Sequence, residues 1–427
     1  MDANIRPSVR QAKRNAEAQL VFAGRGITDS ALGINDYAGL DARGKIVVVL
    51  AGAPKGLASD VASHLRGSKE EAALNAGAIG LIELPVPGTQ SSRPLRLTAK
   101  APRVDLVPKP GSRAYRRVDL ELAVSKAIGA RLFAGSGHSV DELTKLAQKG
   151  ERLPTFNLTG SLAIEAESKW EDFSSPQVIG KLAGADQRLS AEHIVLMGHL
   201  DHIGIEADPK PGQDRINNGA LDNASGIATM LEAARHFTTS GTPPKRSLMF
   251  VANTGEEKGL LGADYFSENP TVPASSIVGL VNLDMPLLLY PFSDVIAFGA
   301  EHSTIASIAA TAAASMNVKI APDPMPGEGL FVRSDHYRFV ERGVPSIFLM
   351  TGYASGGEAQ WKKFLSTNYH KPSDDLKQGI DWIAAARFAD LNYRIARALA
   401  DAPQRPLWYS GSYFGNRFAP TQPKAPR

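Results

Sequence analysis

The chain has 427 residues, 43% of them hydrophobic and 21% charged, with a net charge of +3. That length predicts two domains, the composition is that of an ordinary globular protein, and so small a net charge gives no basis for nucleic-acid binding. There is no cysteine, which excludes disulfides, thiolate metal sites and a cysteine nucleophile.

No apolar run approaches the roughly 18 residues that span a bilayer, and Met1 to Leu20 lacks the apolar core of a signal peptide. Residues 1–17 are charged and alanine-rich and read as a solvated helix or frayed end. Gln19–Ala23, Lys45–Ala53, Ala78–Leu84 and Asp119–Ser125 are apolar runs bounded by turn residues, and they predict strands. Lys69–Ala76 predicts a short helix, and Ser139-Val-Asp-Glu142 is a capping box opening a helix that stops at Gly150. Pro85 to Pro110 reads as loop, followed by a basic cluster at Arg113, Arg116 and Arg117 that reads as a solvated charge run. Residues 18–150 thus form a small strand-rich module.

From about Thr155 strands and helices alternate. Strands are predicted at Gln177–Leu182, His193–Met197, Ser247–Asn253, Ile277–Leu283, Val295–Phe298 and Ser346–Met350. Helices are predicted at Ala224–Thr238, Gly259–Phe266, Thr304–Met316 and Gly379–Ala402. The alternation predicts an α/β domain over 151–409, a mixed, mostly parallel sheet flanked by helices on both faces. The proline-rich, basic end, residues 410–427, reads as a disordered tail.

Chemistry-bearing residues stand at the ends of these apolar runs. The run from His193 ends in His199-Leu-Asp201-His202, where α/β sheets place their sites. Asp222-Asn223 precedes a small-residue helix start, and Glu256-Glu257, Asp284 and Tyr369-His370 follow. Histidines among carboxylates predict a metal centre with mixed nitrogen and oxygen ligands. A hydrolytic two-metal site needs one carboxylate shared by both ions, a histidine and a carboxylate for each, and a further carboxylate to take a proton from the attacking water. The residues fill each role once. His199 and Asp284 serve one ion, Glu257 and His370 the other. Asp222 bridges, Glu256 is the base, and Asp201 orients His199.

Met-Gly-His199-Leu-Asp201-His202, Gly-Ala-Leu-Asp222-Asn223-Ala-Ser-Gly, Thr-Gly-Glu256-Glu257, Asn-Leu-Asp284-Met and Tyr369-His370 together resemble the co-catalytic di-zinc aminopeptidases, a family that also contains glutamate carboxypeptidase II. The resemblance covers roughly residues 175–402. Ser334-Asp335-His336 resembles a further recurring motif of that family, and residues 18–150 are similar to its protease-associated domain. Members carrying that domain ordinarily begin with a signal peptide and a helical segment, whereas this chain starts almost at the domain. The resemblance implies the zinc exopeptidase fold, two zinc ions (replaceable by manganese or cobalt), peptide substrates and an extracytoplasmic location, which the lack of cysteine also suits. It further implies a cis peptide bond between Asp222 and Asn223, and a role for the Tyr369 hydroxyl in stabilising the tetrahedral oxyanion.

The expected activity is removal of N-terminal residues, since carboxylates crowd the motifs while Arg333 is the lone arginine beside them. A carboxypeptidase of the same family, a single-zinc glutaminyl-cyclase-like transferase and a receptor-like protein with a dead peptidase domain are the alternatives. The last is disfavoured by the complete ligand set.

Overall fold

The computed structural model describes residues 3–89, 103–108, 115–206 and 211–427. The basic residue Arg113 and parts of the predicted Pro85–Pro110 loop lie outside these. The chain divides into two compact units, residues 1–173 with 327–329, and residues 174–326 with 330–427.

The first unit contains β1 (Ala3–Ile5), β2 (Lys13–Ala23), the short hairpin β3 (Thr28–Asp29) and β4 (Ile34–Asn35), β5 (Ile46–Leu50), β6 (Gly80–Leu84), β7 (Leu120–Val124) and β8 (Thr155–Glu167). Its helices are α1 (Ser59–Gly67), α2 (Lys69–Asn75), α3 (Lys126–Leu132) and α4 (Val140–Lys149). The six-stranded sheet has the order β1-β7-β6-β5-β2-β8, with parallel central pairs and antiparallel edges. Both faces are covered, so β5 is apolar throughout and none of its residues meets solvent. On one face Phe22, Phe133 and Phe156 cluster at ring-centroid separations of 5.2–6.2 Å. On the other, Val47 and Val49 pack with Ala42 and Ala73. The capping box forms as predicted: Glu142 N–H donates to Ser139 Oγ at 3.2 Å and Ser139 N–H to Glu142 Oε2 at 3.4 Å.

Two expectations fail in this unit. Over the described part of residues 1–17, from Ala3, the chain is neither helix nor frayed end, because Ala3–Ile5 pairs with β7 and Lys13 onward belongs to β2. The division between the units falls after Phe173 rather than at 150, because β8 pairs with β2 along almost its whole length. Arg117 is buried and meets Asp105 at 3.1 Å, so this part of the basic run is ion-paired rather than solvated.

The second unit contains β9 (Val178–Leu182), β10 (His193–His199), β11 (Ser247–Asn253), β12 (Ile277–Asn282), β13 (Asp294–Phe298), β14 (Lys319–Ala321), β15 (Ser346–Thr351), β16 (Trp408–Tyr409) and β17 (Lys424–Ala425). Its helices are α5 (Ser225–Thr239), α6 (Leu261–Glu268), α7 (Ile305–Ser315), α8 (His336–Val340), α9 (Gly357–Thr367), α10 (Trp382–Asp401) and α11 (Tyr413–Phe418). The seven-stranded sheet runs β14-β13-β15-β12-β10-β11-β9 and is mixed and mostly parallel, as predicted. On one face Ala263 and Phe266 of α6 and Phe339 of α8 pack on Val195, Met197, Val251 and Leu280. On the other, Phe237 of α5 meets Phe250 of β11 and Tyr393 of α10. No helix among the described residues is long and apolar enough to cross a membrane.

The predicted disordered tail is instead folded. β16 pairs with β17, the Trp408 indole donates to Gly343 O at 2.9 Å, and Phe414 is fully buried against Phe331 and Tyr337. Composition misleads here because three aromatic residues, Tyr413, Phe414 and Phe418, outweigh the prolines around them.

Candidate metal centre

β10, β11 and β12 lie side by side and parallel, so their C-terminal ends open at one edge of the sheet. His199 is the last residue of β10, Asp284 stands two residues past β12, and Glu256 and Glu257 follow β11 on a short turn. Asp222 comes from the irregular segment Ala220–Ala224 that leads into α5, and its peptide bond to Asn223 is cis. His370 lies after α9 with φ +56°, and Met285, beside Asp284, has φ +40°. Non-glycine residues held in this region carry backbone strain that concentrates at functional sites.

The five predicted ligand residues converge. His199 Nε2 is 3.3 Å from Asp284 Oδ1 and 3.4 Å from Asp222 Oδ1. His370 Nε2 is 3.2 Å from Asp222 Oδ2 and 3.4 Å from Glu257 Oε1. The two oxygens of Asp222 therefore face two separate clusters. His202, to which the sequence reading assigned no role, joins the second: its Nδ1 is 2.8 Å from Glu257 Oε1. His199, Asp222 and Asp284 form one group able to hold an ion, and His202, Asp222 and Glu257 form another.

Buried partners hold these side chains. Ser334 donates to Asp284 Oδ2 at 2.5 Å and accepts from Asn282 Nδ2 at 2.7 Å. Asp335 accepts from Asn253 Nδ2 at 2.8 Å. Asn223 donates to Leu283 O at 2.9 Å and accepts from Met285 N–H at 3.0 Å, gripping the backbone on both sides of Asp284. Asp374 accepts from the N–H groups of Leu221 and Asp222 at 3.0 and 3.1 Å, which fixes the segment carrying Asp222. The Asp201 carboxylate accepts from the N–H groups of Glu256 and Glu257 at 3.1 and 3.2 Å. His199 Nδ1 meets the backbone oxygen of Asp201 at 2.9 Å, while the carboxylate lies 3.8 Å away. The orienting group for His199 is thus the main chain of Asp201. Its side chain instead ties down the Glu256-Glu257 turn.

The electrostatics are those of crowded buried acids. Burial of the Glu256 carboxyl raises its pKa well above the carboxylate range; His199 opposes this, while Asp284, Asp335 and Glu257 reinforce it. Burial likewise pushes Asp335 up to about 7. Burial also acts to raise Asp222, but hydrogen bonds with His199 and His370 outweigh it and bring its pKa down. For His199 the penalty of burial is overcome by bonds to Asp222 and Asp284, and its pKa rises. Tyr369 stacks on His370 with ring centroids 3.8 Å apart; burial and the charges of Asp222 and Glu257 raise its phenol above the usual value.

This donor set fits divalent cations. Glu257 Oε1 and both ring nitrogens of His202 are buried without hydrogen-bond partners, and buried polar atoms of this kind call for a ligand. Imidazoles mixed with carboxylates suit zinc and its neighbours.

Sequence reading missed His202, Asn223, Ser334 and Asp374 as working parts. The adjacency of His202 to Asp201, and the Pro372-Ser373-Asp374 run just after His370, are the signals that could have found two of them.

Comparison with known proteins places the site in context. The vacuolar membrane protease of Candida glabrata is 36% identical over 100 residues, 23% of this chain and 9% of that protein. A probable zinc metalloprotease of Pyrenophora tritici-repentis is 42% identical over 67 residues, 16% of this chain and 15% of that protein. The chain thus spans well under a fifth of the length of these relatives. Among solved structures, the aminopeptidase from Aneurinibacillus sp. strain AM-1 is 20% identical with a TM-score of 0.46, covering 95% of this chain and 79% of that one. A zinc aminopeptidase from Bacillus subtilis is 18% identical with a TM-score of 0.42, covering 94% and 79%. The profile of Peptidase family M28 matches residues 177–396, just over half of the chain and the stretch that carries every ligand candidate, and the protein belongs to that family.

Proposed function

We propose that the chain is a metal-dependent exopeptidase that removes N-terminal residues from peptides, with two zinc ions held between β10, β12 and the His370 segment. The observation that carries this reading is the position of Asp222, whose two oxygens stand 3.4 and 3.2 Å from imidazole nitrogens belonging to separate ligand clusters. His199 and Asp284 would hold one ion, Glu257 and His370 the other, and Asp222 would serve both. When bound, such ions would supply a water of lowered pKa and a Lewis acid for the carbonyl of the scissile bond.

The protein's own groups do the rest. Glu256 takes a proton from the attacking water and returns it to the leaving amine. The Glu256 and Glu257 N–H groups donate to the Asp201 carboxylate, which fixes the turn that carries base and ligand. The protonated Tyr369 phenol is a donor for the developing oxyanion. The surrounding carboxylates favour a free, cationic amino terminus over a carboxylate. The lack of cysteine fits an extracytoplasmic setting, which fractionation of the native host checks.

The test combines metal analysis with substrate choice. The gently purified protein should contain about two divalent ions per chain. It should cleave aminoacyl-arylamides and act poorly on N-acetylated peptides. Equal rates on free and blocked termini sink the aminopeptidase assignment, and full activity with one ion sinks the two-ion assignment.

A further inference from the structure

His202 goes beyond the ligand set just described. Its side chain is 9% exposed and lies against the second cluster, with Nδ1 2.8 Å from Glu257 Oε1 and 3.9 Å from Asp222 Oδ2. His370 Nε2 approaches the same two oxygens at 3.4 and 3.2 Å. The two imidazoles meet edge to face with centroids 5.6 Å apart, so neither blocks the other's approach. Although Nδ1 and Glu257 Oε1 are close, neither has a hydrogen-bond partner. The two atoms are not aligned along a shared N–H···O axis, as a simple histidine–glutamate hydrogen bond requires. One atom each of His202, Asp222 and Glu257 lies within 4.8 Å of the others, close enough to share a cation. Gly219 makes room for this ring. At its φ of +65°, a Cβ there meets the imidazole at 3.0–3.2 Å and Asp222 O at 2.6 Å.

Resting on the reading of this cluster as a metal centre, we propose that His202 is a ligand of the second position. That position then has four protein donors, His202, His370, Asp222 and Glu257, against three at the first, His199, Asp222 and Asp284. Four protein ligands complete a zinc site, as in structural centres; three leave a place for water or substrate, as in catalytic ones. The two positions are therefore unequal. The second anchors its ion, and the first is where an outside oxygen enters.

The experiment titrates the metal-free full chain with Zn²⁺ by calorimetry and with Co²⁺ by visible absorption, comparing wild type with His202→Ala and His202→Gln. Thermal melts of the metal-free variants check that each is folded. Wild type should take up two equivalents of unequal affinity. Loss of a partner outside the ligand shell costs roughly 10–100-fold in metal affinity. Loss of a ligand should exceed that at one equivalent, leave the other nearly unchanged, and alter the Co²⁺ spectrum of the weakened equivalent. His202→Gln keeps a group able to hydrogen-bond to Glu257 and should fail in the same way. Wild-type affinities and spectra in His202→Ala overturn the proposal. So does recovery of tight binding in His202→Gln, which makes His202 a positioning residue for Glu257. A wild-type protein that takes up no metal overturns the metal-centre reading itself, a result distinct from either.

Discussion

At the scale of single residues, Glu256 and Glu257 are neighbours with different proposed roles, base and ligand. Both backbone N–H groups are held by one carboxylate, that of Asp201. Glu256→Gln keeps size and hydrogen-bonding atoms but cannot take a proton, so turnover should fall by about 10²–10⁴-fold with metal content retained. Glu257→Gln should instead weaken metal binding, with activity partly recovered by added zinc. Rate and bound metal measured side by side decide the matter, and a Glu256→Gln variant that loses an ion reverses the assignment. Asp374 acts on the segment carrying Asp222 through main-chain bonds alone. Its carboxylate accepts from Leu221 and Asp222 N–H in a fully buried place. Asp374→Ala orphans both donors, at about 1–3 kcal/mol each, and lets the shared carboxylate drift. Melting temperature and affinity for both ions should drop together; loss of a single ion argues against Asp222 as the bridge.

At the scale of elements, α8 links the sheet to the site. Ser334 and Asp335 precede it and bond to Asp284 and Asn253, while His336, its first residue, turns inward beside Phe331 and Phe348. Burial pushes His336 down to about 3 from an ordinary value of 6.5. The unfolded chain therefore binds the extra proton between pH 6.5 and 3, and the folded chain does not. Stability contributed by the neutral ring is present above pH 6.5 and lost as pH falls toward 3, on the order of 5 kcal/mol if fully realised. His336→Phe removes that titration. Denaturant melts from pH 7 to 4 should show wild type losing stability relative to the variant as the solution is acidified. A constant difference across that range contradicts a neutral, buried His336. Ser334 offers a second check on the same element: Ser334→Ala strips Asp284 of its 2.5 Å donor and should weaken binding at the first position by about 10–100-fold, measured by zinc titration.

At the scale of the whole molecule, two units each carry their own sheet and core, and every ligand candidate belongs to the second. That second unit depends on its C-terminal end. Phe414 is fully buried among Phe331, Tyr337 and Phe418, so Phe414→Ala should cost about 3–5 kcal/mol. Chemical denaturation checks this, and a change below about 1 kcal/mol would restore the tail to the unstructured end its composition implies.

Much of this protein was legible in one dimension. Apolar runs such as Ile46–Leu50 and His193–His199 are buried on both faces and read directly as strands, because a fully covered parallel sheet tolerates no polar interruption. The ligand candidates stood out for a related reason: each follows the end of such a run or leads into a helix, the places where α/β folds present side chains to one edge. β8 was not read as a strand although its second half alternates between exposed and half-buried positions, because it gains its partner only from β2, more than a hundred residues earlier. The partners of His202, Asn223, Ser334 and Asp374 were not legible either, although the first three stand in motifs the sequence shows. Their roles are hydrogen bonds and contacts across 50 to 150 positions of chain, and no local pattern encodes a partner that far away. Residue type and spacing set which chemistry is available, because a metal centre needs those donors whatever holds them. Only the tertiary structure decides which buried oxygen meets which nitrogen, because that depends on the sheet bringing distant ends of chain together.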